Sequence, residues 1–219
     1  MTTWTDAPLV ALDLEGSGAQ DRDDEAILEI AVVPINGGQP SLPDAFAALI
    51  NPGRPIPRRP WISPGLTSSV LASAPLLAEV TAELAARING KIVVGHNVGV
   101  DWRLLRRRCP DIRPQALIDT LRLARHVNPG VKGNALGALL DRYGLTAEVT
   151  SLVPASQPHR ALWDTAGTAL LLPALIDDLT VGSALTLAEL LHIAGLPAEA
   201  AGIPAEGQAA PGQASLFDV

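Results

Sequence analysis

Asp13 and Glu15 stand two residues apart in Leu9–Val10–Ala11–Leu12–Asp13–Leu14–Glu15, a run that reads as a strand ending in acidic residues. Period-two geometry puts both carboxylates on one face. Neighbouring carboxylates repel unless something positive sits between them. A hard divalent cation such as Mg²⁺ suits that place, because it prefers carboxylate oxygens. Asp101 follows the apolar run Lys91 to Val94 and the sequence Gly95–His96–Asn97. It falls near a helix start, beyond the carboxyl end of a strand, where open α/β sheets place their sites. His159 and Asp164 stand five apart, close enough to reach one site near another helix start. Taken singly, each piece has a plainer reading: an exposed strand end for Asp13 and Glu15, helix electrostatics for Asp101, a structural histidine and a solvated acid for the last pair. The conjunction points to a site, since three segments each supply acids at a strand end or helix start and one adds an imidazole.

The elements that must position these residues follow from the apolar spacing. After the first strand, Ile27 to Ile35 reads as a second strand, with Glu29 inside an apolar run. Phe46 to Ile50 reads as a third, and the short connections make the three antiparallel neighbours. The Pro- and Ser-rich stretch from Arg54 to Pro75 reads as irregular, with a short helix near its end. Apolar residues at 76, 77, 80, 84 and 88 predict a helix from Leu76 to Ile88, stopped by Asn89–Gly90. Lys91 to Val94 is a strand, Val100 to Cys109 a helix, and Ala116 to Ile118 a fifth strand. Helices are expected near Thr120 to His126, Ala135 to Tyr143 and Arg160 to Leu179. A last one starts at Thr186, where Thr186–Leu187–Ala188–Glu189 has capping-box spacing. Three strands followed by alternating helices and strands indicate an α/β sandwich with a mixed sheet.

Composition bounds what surrounds this site. Apolar residues make up 47% of the 219 and aromatics only 3%, so the core must be mainly aliphatic. Cys109 is the sole cysteine, which leaves no disulfide framework or cysteine-based zinc site and fits a reducing cytoplasm. The N-terminus has no signal-peptide pattern, and the best apolar run, Ala169 to Ile176, is short and contains Pro173. A net charge of −7 argues against broad duplex binding. Metal-holding carboxylates inflate that number, because their cations are not counted. Positive charge is locally dense at Arg54, Arg58 and Arg59 and again at Arg103, Arg106, Arg107 and Arg108, although a solvated helix surface accounts for Arg106 to Arg108 without any ligand.

DLEGSG, GHNVGVDWRLL and HRALWDTAGTALLL resemble, in order, the three exonuclease motifs of the DEDDh family, which includes the proofreading subunits of bacterial replicative polymerases. ALIDTLRLARHVNPGVKGNALGALLDRYGL and PGLTSSVLASAP resemble that family's connecting segments, so the likeness runs from about residue 8 to 178. It implies a ribonuclease H-like mixed five-stranded sheet flanked by helices. It also implies a 3′→5′ exonuclease that releases nucleoside 5′-monophosphates from single-stranded or frayed DNA 3′ ends, in proofreading or repair. By that resemblance Asp13, Glu15, Asp101 and Asp164 hold two divalent cations, Mg²⁺ or Mn²⁺, and His159 is the general base. Leu14, Gly16, His96 and Asn97 flank the 3′-terminal nucleotide. Two positions depart from the usual pattern: Gly16–Ser17 where many members have two threonines, and Val100 where a Phe is frequent. Both flank the nucleotide pocket rather than the metal ligands.

Residues 1–196 form the expected exonuclease domain. From 197 the chain turns to Ala, Gly and Pro without apolar periodicity, the composition of a flexible tail. It ends in Gln213–Ala214–Ser215–Leu216–Phe217, which resembles the pentapeptide with which many bacterial replication proteins bind the sliding clamp. Gln213 would supply hydrogen bonds, and Leu216 and Phe217 two apolar anchors. A polymerase subunit is a further expected partner. An RNA 3′-end trimming enzyme, and a noncatalytic clamp-binding replication adaptor, are the competing readings.

Overall fold

The computed structural model describes residues 2–18, 24–180 and 185–198. Strand β1 (Leu9–Gly16) pairs antiparallel with β2 (Ile27–Asn36), and β3 (Gln39–Pro40) and β4 (Phe46–Leu49) both pair antiparallel with β2. After helices α1 (Ser68–Leu71) and α2 (Leu77–Ile88), β5 (Ile92–Gly95) lies parallel to β1. Helix α3 (Gly99–Arg108) leads to β6 (Ala116–Asp119), parallel to β5. Then come α4 (Thr120–Val127), α5 (Leu136–Arg142), α6 (Thr146–Leu152), α7 (Ala161–Leu179), α8 (Leu187–Ala194) and β7 (Gly195–Leu196), which pairs antiparallel with β6. The sheet order is β3-β2-β1-β5-β6-β7, with β4 on β2.

The mixed α/β architecture agrees with the expectation, but the sheet has seven strands rather than five. The two extra strands, β3 and β7, are two residues long, too short to show any alternation of apolar and polar positions. Geometry makes them. Gly37 and Gly38 both have positive φ and reverse β2 directly onto β3, and a Cβ at Gly38 would lie 2.7 Å from the Trp4 ring. Helix α6 was likewise not expected from the sequence.

The sheet separates two cores, and the alternation of β1 assigns its residues to them. Leu9 and Ala11 face a core with Trp163, Ala166 and Leu170 of α7, Leu123 of α4 and Leu190 of α8. Val10, Leu12 and Leu14 face the other, with Leu84 and Ile88 of α2 and Trp102 and Leu105 of α3. Asp13 and Glu15 continue the odd-numbered series, so they open toward α7. Helix α7 is buried from Trp163 through Ile176 almost all round, as expected of a central helix. Among the described residues, no helix is long and apolar enough to cross a membrane.

Candidate active site

The odd face of β1 and the first turn of α7 meet at the end of the strand. Asp13, Glu15 and Asp164 each offer a carboxylate oxygen there, all within 4.8 Å of one another. Asp101, in the first turn of α3, approaches from the opposite side of the sheet and stands outside that group. Its charge raises the Asp13 pKa, and the Leu14 backbone amide and the charge of Asp164 act on it in turn. Three of the four acids singled out in the sequence thus share one cluster, and Asp101 lies near enough for its charge to act on Asp13.

Their protonation reflects the crowding. Burial, then the charges of Asp101, Asp164, Glu15 and Glu29, hold the Asp13 carboxyl well above the usual carboxylate range. Burial is also the largest cause at Glu15, pushed up to about 8, at Asp101, to about 7, and at Asp164, to about 6. At Asp164 the charge and backbone amide of His159 act in the opposite direction. Carboxyls raised in this way call for a positive charge between them. Oxygen-only donors at this separation fit a hard divalent cation, which would return each carboxyl to its ionised form.

His159 is exposed and sits just ahead of α7 with φ 64°, in the left-handed region that non-glycine residues rarely occupy. What fixes this turn is a pair that the sequence reading passed over. Glu29, 6% exposed in β2, lies opposite Glu15 in the β1–β2 register. It accepts two hydrogen bonds from Arg160, Nε to Oε2 at 2.7 Å and Nη2 to Oε1 at 2.9 Å, and one from the Ala161 N–H at 3.3 Å. The bidentate fork ties the α7 N-terminus, with His159 on one side and Asp164 on the other, to the strand beside β1. Ser63 is the second missed residue. It is buried in the Pro- and Ser-rich stretch and its hydroxyl donates to Glu15 Oε2. Glu29 carried one signal, an acid inside an apolar run; Ser63 carried none.

The remaining sequence candidates take varied places. His96 Nε2 lies 2.8 Å from the Asn134 carbonyl, which only accepts, so Nε2 carries the proton. Nδ1 lies 3.0 Å from the Thr120 hydroxyl, and burial lowers the ring's pKa. Both ring nitrogens therefore join the end of β5 to its neighbours, the start of α4 and the loop before α5. Asn97 is exposed with φ 62°, and its N–H donates to Asp119 Oδ1 at 2.9 Å. Gly95 precedes them because a Cβ there would lie 2.7 Å from Val98 Cγ2 and 3.2 Å from the Leu12 carbonyl. Leu14 is buried, and Gly16 lies at a bulge where a Cβ would meet Glu25 and Leu104. The Ser17 hydroxyl accepts the Ala26 N–H at 2.9 Å, closing the β1–β2 hairpin from the interior. Val100 is exposed, whereas Trp102 is a core residue whose indole N–H donates to the Ala198 carbonyl at 2.6 Å. Gln213, Leu216 and Phe217 lie outside the described residues.

The exonuclease family model RNase_T matches residues 10–172. The chain is 35% identical over 173 residues to a DNA polymerase III subunit epsilon-like protein of Rhodobacter capsulatus, covering 76% of this chain and 24% of that one. It is 29% identical over 178 residues to DNA polymerase III subunit epsilon of Aquifex aeolicus, covering 80% and 83%. It is 31% identical over 174 residues to a PolC-type DNA polymerase III of Bacillus subtilis, covering 77% and 11%. The chain therefore spans a quarter or less of the first and third relatives. Among solved structures, the nuclease domain of 3′hExo, a DEDDh family member bound to rAMP, shares the fold with a TM-score of 0.55 at 14% identity, covering 78% of this chain and 92% of that one. The RNase domain of yeast Pop2 does so at 0.58 and 10%, covering 83% and 82%.

Proposed function

This chain belongs to the RNase_T exonuclease family, and we propose that it is a metal-dependent 3′→5′ exonuclease that removes nucleoside 5′-monophosphates from single-stranded or frayed DNA ends. One observation carries the proposal: three carboxylates within 4.8 Å of one another, on the end of β1 and the start of α7. Asp13, Glu15, Asp101 and Asp164 would hold two divalent cations, Mg²⁺ or Mn²⁺. When bound, such ions polarise the phosphodiester and ease formation of the attacking hydroxide. His159, exposed beside Asp164, takes the proton from the attacking water. Leu14 and the Gly16 backbone flank the terminal nucleotide, with His96 and Asn97 nearby.

DNA as substrate is supported by the relatives, which are named as a DNA polymerase III subunit epsilon, an epsilon-like protein and a PolC-type DNA polymerase III. A role in proofreading or repair rests on the same names. Residues 1–196 are the exonuclease unit, and 197–219 a tail whose Gln213, Leu216 and Phe217 engage a sliding clamp. A polymerase subunit is a second partner, and a reducing cytoplasm suits the single buried Cys109.

Matched DNA and RNA strands with free 3′ ends, incubated with and without Mg²⁺, test this directly. Release of 5′-monophosphates from DNA, only with metal, is the expected result, and Asp164→Ala should abolish it. Faster degradation of RNA would move the assignment to 3′-end trimming. Activity surviving in Asp164→Ala would sink the metal site.

A further inference from the structure

Three of the four tryptophans are core residues: Trp4, Trp102 and Trp163 are 8%, 2% and 2% exposed. Trp61 is not; it is 39% exposed. It stands at the tip of the turn Arg59–Pro60–Trp61–Ile62, closed by the Ile62 N–H donating to the Arg59 carbonyl at 3.2 Å. Pro60 occupies the second position, where its fixed φ favours such a turn. The turn folds the Arg59 guanidinium over the indole, 5.3 Å from the ring centroid.

The turn is anchored on both sides of the fold's interior. Ile62 packs against the small core of Leu28, Ile56, Leu66 and Leu71. Ser63, one residue further, donates its hydroxyl to Glu15 of the carboxylate cluster. Two residues of extended chain span at most about 7 Å, so the Trp61 backbone is held at the rim of the acidic site. Pro55, Pro57, Pro60 and Pro64 stiffen the segment, which reduces the order it must gain when something binds.

Charge identifies what would bind. The protein is acidic, yet no Asp or Glu occurs between Asp44 and Glu79, while Arg54, Arg58 and Arg59 do. The same rim recess is lined by Arg58, Arg59, Ile62 and Ser63. An aromatic face flanked by guanidinium groups matches a base flanked by phosphates, and base–aromatic stacking tolerates any base because each has a π-face.

We propose that Arg59 and Trp61 form a stacking platform for a nucleobase of a single-stranded nucleic acid whose 3′ end lies in the carboxylate cluster, with Arg58 attracting its phosphates. The proposal rests on the exonuclease reading for what occupies the cluster. The platform accounts for affinity toward single strands, whose bases are free to stack, and it sets no base preference.

A phosphorothioate oligothymidylate, which resists hydrolysis, and the same strand lacking bases near its 3′ end are titrated in parallel by fluorescence anisotropy. Trp61→Ala should weaken binding of the complete strand roughly tenfold, the loss of about one base–aromatic stack. Trp61→Phe should restore most of it and Trp61→Leu should not, while the base-free strand should bind all three variants and the wild type alike. Equal loss for both strands would overturn the platform, because Trp61 would then act through loop structure. Unchanged binding in Trp61→Ala would overturn it in favour of a protein-facing role for this residue. Failure of the wild type to release nucleotides from an unmodified strand with Mg²⁺ would instead defeat the exonuclease reading, and the titration would still decide the platform.

Discussion

His159 owes its place to backbone conformation as much as to side-chain type. Its left-handed φ turns the chain sharply before α7 and leaves the imidazole exposed beside Asp164. Replacing it by alanine removes a proton acceptor but none of the carboxylates. His159→Ala should therefore lower kcat by 10²-fold or more, the usual contribution of a general base, with little change in substrate Kd. An unaltered rate at neutral pH would remove His159 from the chemistry. The carboxylates make a prediction about stability. Glu15, Asp101 and Asp164 have folded pKa values raised to about 8, 7 and 6. A raised carboxyl pKa means that the folded state binds more protons than the unfolded state in this range, so stability falls as pH rises. In EDTA the melting temperature should drop from the ordinary carboxylate range up to about pH 8. Mg²⁺ or Mn²⁺ should raise it, and by more at the alkaline end, because ionised ligands bind the cation. A metal-induced shift that is larger at pH 5 would contradict this account.

At the scale of elements, the site depends on how α7 is docked. Its N-terminus must bring Asp164 to β1, and the Glu29–Arg160 fork does this across 131 residues of sequence. Both partners are substantially shielded, with side-chain exposures of 8% for Glu29 and 26% for Arg160. Glu29→Ala should cost about 3 kcal/mol in urea denaturation, the low end for removing one partner of a buried pair, since Arg160 keeps some access to water. It should also lower metal affinity, as the α7 start loses its anchor. A variant as stable as the wild type would show that helix packing alone docks α7. The opposite side of the site is fixed by a close approach rather than an ion pair. Gly95 lets β5 turn into α3 against the Leu12 carbonyl, and so delivers Asp101 to the strand end.

Over the whole molecule, a protein with net charge −7 must reach a polyanion. Local positive charge around Arg58 and Arg59 helps at the rim, but its reach is about a Debye length. The proposed clamp contact would solve the problem differently, by raising the local concentration of enzyme at DNA. The double change Leu216→Ala and Phe217→Ala should abolish sliding-clamp binding in a pull-down and leave hydrolysis of free single strands as it was. Clamp binding that persists in the double variant would make the terminal pentapeptide accidental.

Local periodicity and end signals are legible in the amino-acid order alone. Alternation along β1 placed Asp13 and Glu15 on one face, and the capping box placed the start of α8 at Thr186, where both of its hydrogen bonds are found. Helices α3, α4 and α7 lie within a residue or two of their expected ends. Tertiary structure decided what depends on contacts between distant segments. Glu29 reads locally as a flaw in a buried strand; only its register opposite Glu15 and the arrival of Arg160 make it part of the site. Ser63 reads as one more polar residue in a Pro-rich stretch until its hydroxyl meets Glu15. His96 belongs to a motif, yet its ring joins β5 to Thr120 and Asn134. β3 and β7 exist because a turn and a helix end leave two residues beside a waiting strand edge. A side chain's type and spacing fix which face of its own element it occupies, whereas its partner is fixed by the packing of elements that the local pattern does not encode.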